Sequence, residues 1–233
     1  MADHTEQFRK LKDMLLTRSR DKQDVYAVTR DVFDEMKGIL TQVAQDLFDV
    51  VHPVDERIQV SLDSEGDFEI KMTLAGDTVV FHMHTNVFTF PPHHMVHKSP
   101  YVKDHPSNAY CGIINIYNFL TDSFRYQRSN DSGYLIGRIF VNKDRHFFVE
   151  GQEQLGIRFN DFSTATLGKE EMHEILCTAL NYVLDFELYT PPYQSVKVVS
   201  LSDIQQLSQN LKLQTAKRLG FRFQADDENS VEF

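Results

Sequence analysis

Histidines carry the most versatile chemistry in this chain, and six of its ten lie between residues 82 and 105. His82 and His84 are two positions apart on a predicted strand, so both side chains are expected on the same face of a sheet. Two imidazoles in that arrangement can bind one metal ion when a third ligand comes from elsewhere. His94 and His97, in the loop that follows, are the candidate further ligands. These four residues form a predicted metal site, and the alternative is a pair of exposed strand histidines beside a solvated loop.

The start of this stretch resembles the first motif of the cupin family. Gly76, five further residues, His82, one residue and His84 match the opening spacing of that motif. The glutamate that the motif places after three or four further residues is absent, because Phe88 and Thr89 stand there. The following glycine and the second histidine motif are missing as well, so no cupin is inferred.

The loop after these histidines contains a second kind of candidate. The segment 91–108 is long for a loop without structure of its own, and such loops are often functional. Its prolines limit its freedom, and its aromatic and basic side chains suit a ligand lid or a partner contact. Tyr101 is the predicted ligand-binding residue of this loop, and Asn115, within an apolar strand, is a predicted pocket-lining residue that needs a partner if buried. The alternative for the loop is a plain surface excursion.

Arginines next to strands rich in Phe and Tyr complete this candidate site. Arg125 and Arg138, with Arg128 and Arg158 near them, could grip a carboxylate or phosphate with paired hydrogen bonds if they converge. The alternative is that each arginine pairs with a nearby acid. We single out Arg125 and Arg138 as predicted ligand-binding residues.

Composition and charge narrow the classes of partner and compartment. The formal net charge of −10 repels nucleic-acid backbones and anionic lipid surfaces, so neither is an expected partner. The N-terminus has no basic start followed by an apolar run, and no apolar run approaches the length that spans a bilayer, so no signal peptide or membrane span is predicted. The two cysteines lie far apart in apolar surroundings, which favours buried thiols in a reducing compartment. We therefore expect a cytoplasmic protein.

Hydrophobic periodicity predicts one α+β domain over residues 1–233. Apolar residues recur every three or four positions in the N-terminal part, which indicates helices that either pack on the sheet of this chain or dimerise. From residue 57 the period changes to two, which predicts a mostly antiparallel sheet of about seven or eight strands, with short strands at 122–127, 156–160 and 196–199 among the candidates. The predicted divisions are N-terminal helices at 5–52, the sheet at 57–160 with the long loop 91–108, a helix at 168–188, a short helix and terminal strand at 200–223, and an acidic tail at 225–233.

Several reaction classes lack their sequence signatures. The chain has no G-x-S-x-G elbow, no phosphate-binding or dinucleotide-binding glycine motif and no H-E-x-x-H, and Cys111 is predicted to be a core thiol. The sequence therefore predicts a non-enzymatic, cytoplasmic ligand-sensing or protein-interaction module, an adaptor or regulatory protein without a cofactor, which binds a protein partner or forms a homodimer. The alternative is a metal-dependent hydrolase or oxygenase that holds one divalent ion, such as zinc or iron, with His82, His84 and a loop histidine. A third possibility is a subunit that folds fully only within a larger complex.

Overall fold

Alternating apolar and polar residues fold into one six-stranded antiparallel sheet, in which each strand pairs with the next along the chain. The computed structural model describes residues 2–64, 66–152, 154–186, 190 and 192–202. The strands are β1 (Val60–Asp63), β2 (Glu69–Leu74), β3 (Asp77–Met83), β4 (Gly112–Leu120), β5 (Tyr134–Val141) and β6 (Phe147–Gly151). The α-helices are α1 (Ala2–Met14), α2 (Arg20–Val51), α3 (Pro100–Asp104), α4 (Thr121–Arg125), α5 (Gln154–Arg158), α6 (Lys169–Asp185) and α7 (Tyr193–Val196).

The N-terminal helix runs without interruption from α1 into α2. A π-helical turn at Leu15–Ser19 joins the two, so the helix continues through the polar stretch 18–24. Because this stretch contains neither proline nor glycine, nothing in it breaks the helical backbone. The apolar stripe of α2, which includes Val32, Met36 and Leu40, is fully buried.

Helices α2 and α6 cover one face of the sheet, which we call the inner face. The strand residues Val79, Phe81 and Met83 have no exposed surface and join the helix stripes in one core, as their alternation with polar neighbours predicts. A bidentate ion pair between Arg145, after β5, and Glu35 of α2 ties the sheet to the helix at 2.6–3.0 Å. This pair lowers the pKa of the Glu35 carboxyl, mainly through its hydrogen bonds to the guanidinium.

The chain between β3 and β4 covers one end of the opposite face, which we call the outer face. It holds two 3₁₀ turns, Met95–Lys98 and Pro106–Ala109, on either side of α3, so it has more structure than the predicted loop. Its apolar side chains pack on Phe140 and Phe148 of the sheet. Cys111 is fully buried in this second core, as predicted, and burial raises the pKa of its thiol.

The strand count is lower than the sequence predicts, because two short segments are helical. The predicted strand at 122–127 is instead α4 followed by a tight turn, in which the amide of Tyr126 donates to the carbonyl of Asp122. The predicted strand at 156–160 overlaps α5, which packs tightly on the end of β6. A Cβ at Gly156 would lie 2.6 Å from the Gly151 carbonyl oxygen, so the close approach requires glycine there.

The C-terminal predictions are met only in part. The helix predicted at 168–188 is observed as α6, whereas the strand expected at 196–199 is not formed, since α7 ends at Val196 and the residues after it lack strand structure. The rest of the short helix and terminal strand predicted within 200–223, and the tail 225–233, lie outside the described residues. Within the described ranges, no helix combines the length and apolar character required to cross a bilayer.

A close approach of α2 to the sheet, at Thr29 and Gly112, leads to a stability prediction. A Cβ at Gly112 would lie 2.0 Å from Oγ1 and 2.6 Å from Cγ2 of Thr29, which is itself fully buried. Replacement of Gly112 by Ala should therefore lower the free energy of unfolding by about 1–3 kcal/mol through overpacking. Chemical denaturation measures this change. The control is Gly76→Ala, whose new Cβ meets nothing within 4 Å and should change stability by at most about 0.5 kcal/mol.

A double-mutant cycle separates the proposed clash from a general effect on the strand. Thr29→Ala removes the two nearest of the three clashing atoms and leaves Cβ at 2.7 Å, so the double variant should be less destabilised than the sum of the two single changes. Strict additivity of the two substitutions would contradict the assignment of the effect to this contact.

Candidate ligand-binding site

A polar row crosses the outer face along paired positions of five strands. The register aligns Glu69 of β2, His82 of β3, Asn115 of β4, Arg138 of β5 and Glu150 of β6. All five side chains are half-buried, so they are accessible from one side. The row separates the end of the face covered by the long loop from the end that this loop leaves open.

The two charged side chains at the β5–β6 end of this row pair with each other. Arg138 donates to the Glu150 carboxylate, and its guanidinium also lies over the ring of Phe140 at 5.4 Å from the centroid. Asn115, next to it, is half-buried and makes no side-chain hydrogen bond to another described residue. The structure thus places two of the predicted ligand-binding residues side by side, with the arginine held by an acid.

The open end of the outer face forms a pocket of about 590 Å³ beneath the chain that connects β4 to β5. Its floor is apolar and aromatic, and its rim carries charged and polar groups. It is lined by Glu69, Lys71, Val80, His82, Tyr117, Phe119, Ser123, Phe124, Gln127, Arg128, Ser129 and Asp131. The volume and the mixture of an apolar floor with a few polar groups are typical of small-molecule sites.

Two hydrogen bonds and a backbone reversal shape the roof of the pocket. Ser123 donates its hydroxyl to the Asp131 carboxylate at 2.7 Å, and the amide of Arg128 donates to the Ser123 carbonyl at 2.7 Å. Gln127 has a φ of +50°, which turns the chain back after α4. The following side chain, Arg128, is therefore directed into the protein and lines the pocket.

Of the four arginines that the sequence groups together, Arg128 is the one that lines this pocket. Arg125, the predicted residue, does not line it; its side chain is 52% exposed and lies 3.9 Å from Asp122. The side chain of Arg128 is only 8% exposed. The polar residues that follow α4 indicate a turn near these arginines. Which of the two side chains lines the pocket depends on the backbone conformation at Gln127.

The structure separates the histidines that the sequence brings together. His82 lines the pocket, whereas the ring of His84 accepts a hydrogen bond from the amide of Asn86 at 3.0 Å and packs against Phe88. The hydrogen bond occupies Nδ1 of His84, so the segment directly after β3 orients this ring.

The two predicted loop histidines contact residues of the second core, on the outer face. His94 accepts from the amide of Val96 at 3.3 Å and stacks on Phe90, while Nε2 of His97 lies 3.0 Å from the Phe90 carbonyl oxygen. Among the described residues, no three histidine, cysteine or acidic side chains form a group able to hold a metal ion. The four-histidine metal site stays a prediction from the sequence.

Tyr101 fastens the long loop to the sheet. Its hydroxyl donates to the Asp144 carboxylate at 2.6 Å and accepts from Nδ2 of Asn142 at 2.9 Å, and its ring stacks on His146. Burial and the neighbouring Asp144 raise the pKa of this phenol well above its usual value. The same Nδ2 donates to the Asn108 carbonyl, so the fully buried Asn142 joins the hairpin after β5 to both ends of the α3 region.

A second depression, of about 460 Å³, lies between α5 and α6. Its arginine, Arg158, is paired with Glu174, which lies outside the lining. It has fewer aromatic side chains than the outer-face pocket, with Tyr182 as the aromatic residue of its described lining. The outer-face pocket is therefore the stronger candidate site.

No protein-family model, no curated protein and no solved structure matches this chain.

The contacts of Tyr101 lead to a test of its role. Tyr101→Phe removes a half-buried hydroxyl that both donates and accepts a hydrogen bond, so it should lower the free energy of unfolding by about 1–2 kcal/mol. The control is Tyr117→Phe, because the Tyr117 hydroxyl makes no hydrogen bond to another described residue and its loss should change stability by at most about 0.5 kcal/mol. Chemical denaturation of both variants makes the comparison. Equal stabilities would contradict the fastening role.

Proposed function

We propose that this chain is a non-enzymatic module that binds a small molecule in the outer-face pocket and acts as a sensor or adaptor. The observation that carries the proposal is the apolar, aromatic floor of this pocket on an otherwise polar part of the sheet. Its charged rim would orient a ligand, while the floor would supply most of the binding free energy.

The aromatic residues of the pocket are arranged for contact with a flat molecule. Val80 on the floor is 6% exposed, and Tyr117 and Phe119 beside it are half-buried. Phe124 projects from α4, is 37% exposed, and packs edge-on against Phe119 with centroids 5.5 Å apart. A ring inserted next to Phe124 would remove more apolar surface from water and gain aromatic contacts.

Binding is favoured over catalysis because the reactive groups of the described chain are engaged or unactivated. In the pocket, Lys71 lies 3.1 Å from Glu69, and the Ser123 hydroxyl is engaged in a hydrogen bond to the Asp131 carboxylate. Elsewhere, the Cys177 sulfur lies 3.7 Å from Nδ1 of His173, but burial raises the pKa of this thiol, whereas a nucleophilic cysteine needs a lowered one.

A cytoplasmic location is part of the proposal. Cys111 and Cys177 are both free, the first fully buried and the second half-buried. Unpaired thiols are compatible with a reducing compartment, where disulfides are rare.

A neutral aromatic dye tests the pocket directly. N-phenyl-1-naphthylamine, whose fluorescence rises in apolar surroundings, should bind the wild-type chain with micromolar affinity. Phe124→Ala should weaken this binding about tenfold, because it removes one aromatic wall. A fluorescence titration gives both dissociation constants.

The matched control for this test is Phe48→Ala. Phe48 is 40% exposed, nearly the same as Phe124, and it also packs on one ring, His52, but it lies on α2 away from the pocket. This variant should bind the dye as the wild type does. Equal loss in both variants, or no dye binding at all, would refute the pocket as the binding site.

A second candidate function, self-association, is favoured by the surface of α1. Every side chain described from residue 5 to residue 18 is exposed, including the stripe formed by Phe8, Leu11 and Leu15. These positions follow steps of three and four, which suits pairing with another helix. An antiparallel second copy centred on Leu11 would bring Arg9 of one copy opposite Asp13 of the other. We propose this stripe as the contact of a homodimer.

Sedimentation velocity tests the dimer. The wild-type chain should sediment as a dimer at tens of micromolar, and Leu11→Glu with Leu15→Glu should give a monomer because buried carboxylates would be unpaired. The control is Leu184→Glu on α6, which is also exposed and should leave the dimer intact. A wild-type monomer at these concentrations would exclude the proposal.

A further inference from the structure

Arg128 is the one charged group of the pocket whose hydrogen-bonding capacity is left unused among the described residues. Its Nε is buried and has no hydrogen-bond partner. Its closest acid, the 3% exposed carboxylate of Asp131, lies 3.8 Å from Nη1, which is beyond hydrogen-bonding distance. A buried cation with unused donors is costly unless something else accepts from it.

The remaining contact of this guanidinium is with an aromatic ring. The guanidinium carbon lies over the Tyr126 ring, 5.2 Å from its centroid. A cation held over a ring gains electrostatic attraction but leaves the N–H donors of the guanidinium without an oxygen acceptor. An oxygen acceptor with two oxygens can then bind the edge through parallel hydrogen bonds.

The other charges that line the pocket decide what charge a ligand should carry. Lys71 is 3.1 Å from Glu69, and Asp131 lies beside Arg128, so the two cations and two acids cancel formally. A single negative charge placed at the guanidinium edge would gain its hydrogen bonds with little added repulsion. A doubly charged phosphate would meet two carboxylates within the same pocket.

We propose that the outer-face pocket binds an aromatic monoanion, whose carboxylate or similar singly charged group accepts from Arg128 while its ring lies against Phe124 and Tyr117. This inference rests on the proposed function and names the ligand class of the same site. It distinguishes Arg128 from Arg138, whose guanidinium already donates to Glu150, and from Arg125, which lies outside the pocket.

Two dyes that differ by one anionic group test this proposal without any mutation. 1-Anilinonaphthalene-8-sulfonate is N-phenyl-1-naphthylamine with an added sulfonate, so their affinities compare the same rings with and without a negative charge. The wild-type chain should bind the anionic dye at least about tenfold more tightly, as expected for charge-assisted hydrogen bonds. Equal affinities, or a preference for the neutral dye, would overturn the proposal.

A charge-neutral double variant assigns the preference to Arg128. Arg128→Met alone would leave Asp131 buried without its cation, so Asp131→Asn is combined with it. The double variant should bind both dyes with equal affinity, so the ratio of its two dissociation constants should fall to about one. The matched control Arg125→Met should keep the full preference. A folded double variant that retains the preference would overturn the role of Arg128.

Competition distinguishes singly from doubly charged ligands. 1-Naphthaleneacetate should displace the anionic dye at lower concentration than 1-naphthyl phosphate, which carries close to two charges above neutral pH. The opposite order would overturn the choice of a monoanion. Failure of the two proposals is also distinguishable: absence of binding for both dyes refutes the pocket, whereas equal binding of both refutes only the anion site.

Discussion

A sheet has two faces, and two helices in this chain cover only one of them. The inner face is sealed by α2 and α6, whose fully buried stripes pack on the alternating apolar residues of the strands. The distance of α2 from the sheet is set where Thr29 meets Gly112, because no larger residue fits at that strand position. The outer face is reached by no long helix of the described chain, so its properties depend on which parts of it the connecting segments cover.

The outer face is divided by the polar row that ends in Arg138 and Glu150. On one side, aromatic rings of β5 and β6 are covered by the chain between β3 and β4, and the buried Asn142 holds that cover in place. On the other side, among the described residues, the floor around Val80 is roofed by the short chain between β4 and β5. The same sheet thus has a closed end, where polar groups are satisfied within the protein, and an open end, where one guanidinium is not.

The parts of this arrangement that follow from local pattern could be predicted from the sequence. The period of two identifies Phe81 as an inner residue and His82 as an outer one, since adjacent strand residues point to opposite faces. The division between Arg125 and Arg128 could not be predicted, because it depends on a left-handed backbone at the exposed residue Gln127. The separation of His84 from the loop histidines could not be predicted either. Each of these rings contacts its own segment of backbone or its own aromatic neighbour.

The strand order also determines how the chain can reach this structure. Because each strand pairs with its neighbour in sequence, most sheet contacts close short loops and require little loss of chain entropy. The pairing of β3 with β4 is different, since the whole segment that later covers the aromatic end must be looped out before Met83 meets Ile114. Pairing of β3 with β4 is therefore the step of sheet assembly that costs the most chain entropy. Helix α6 follows all six strands in the chain, so the inner core stays half covered until α6 has been synthesised.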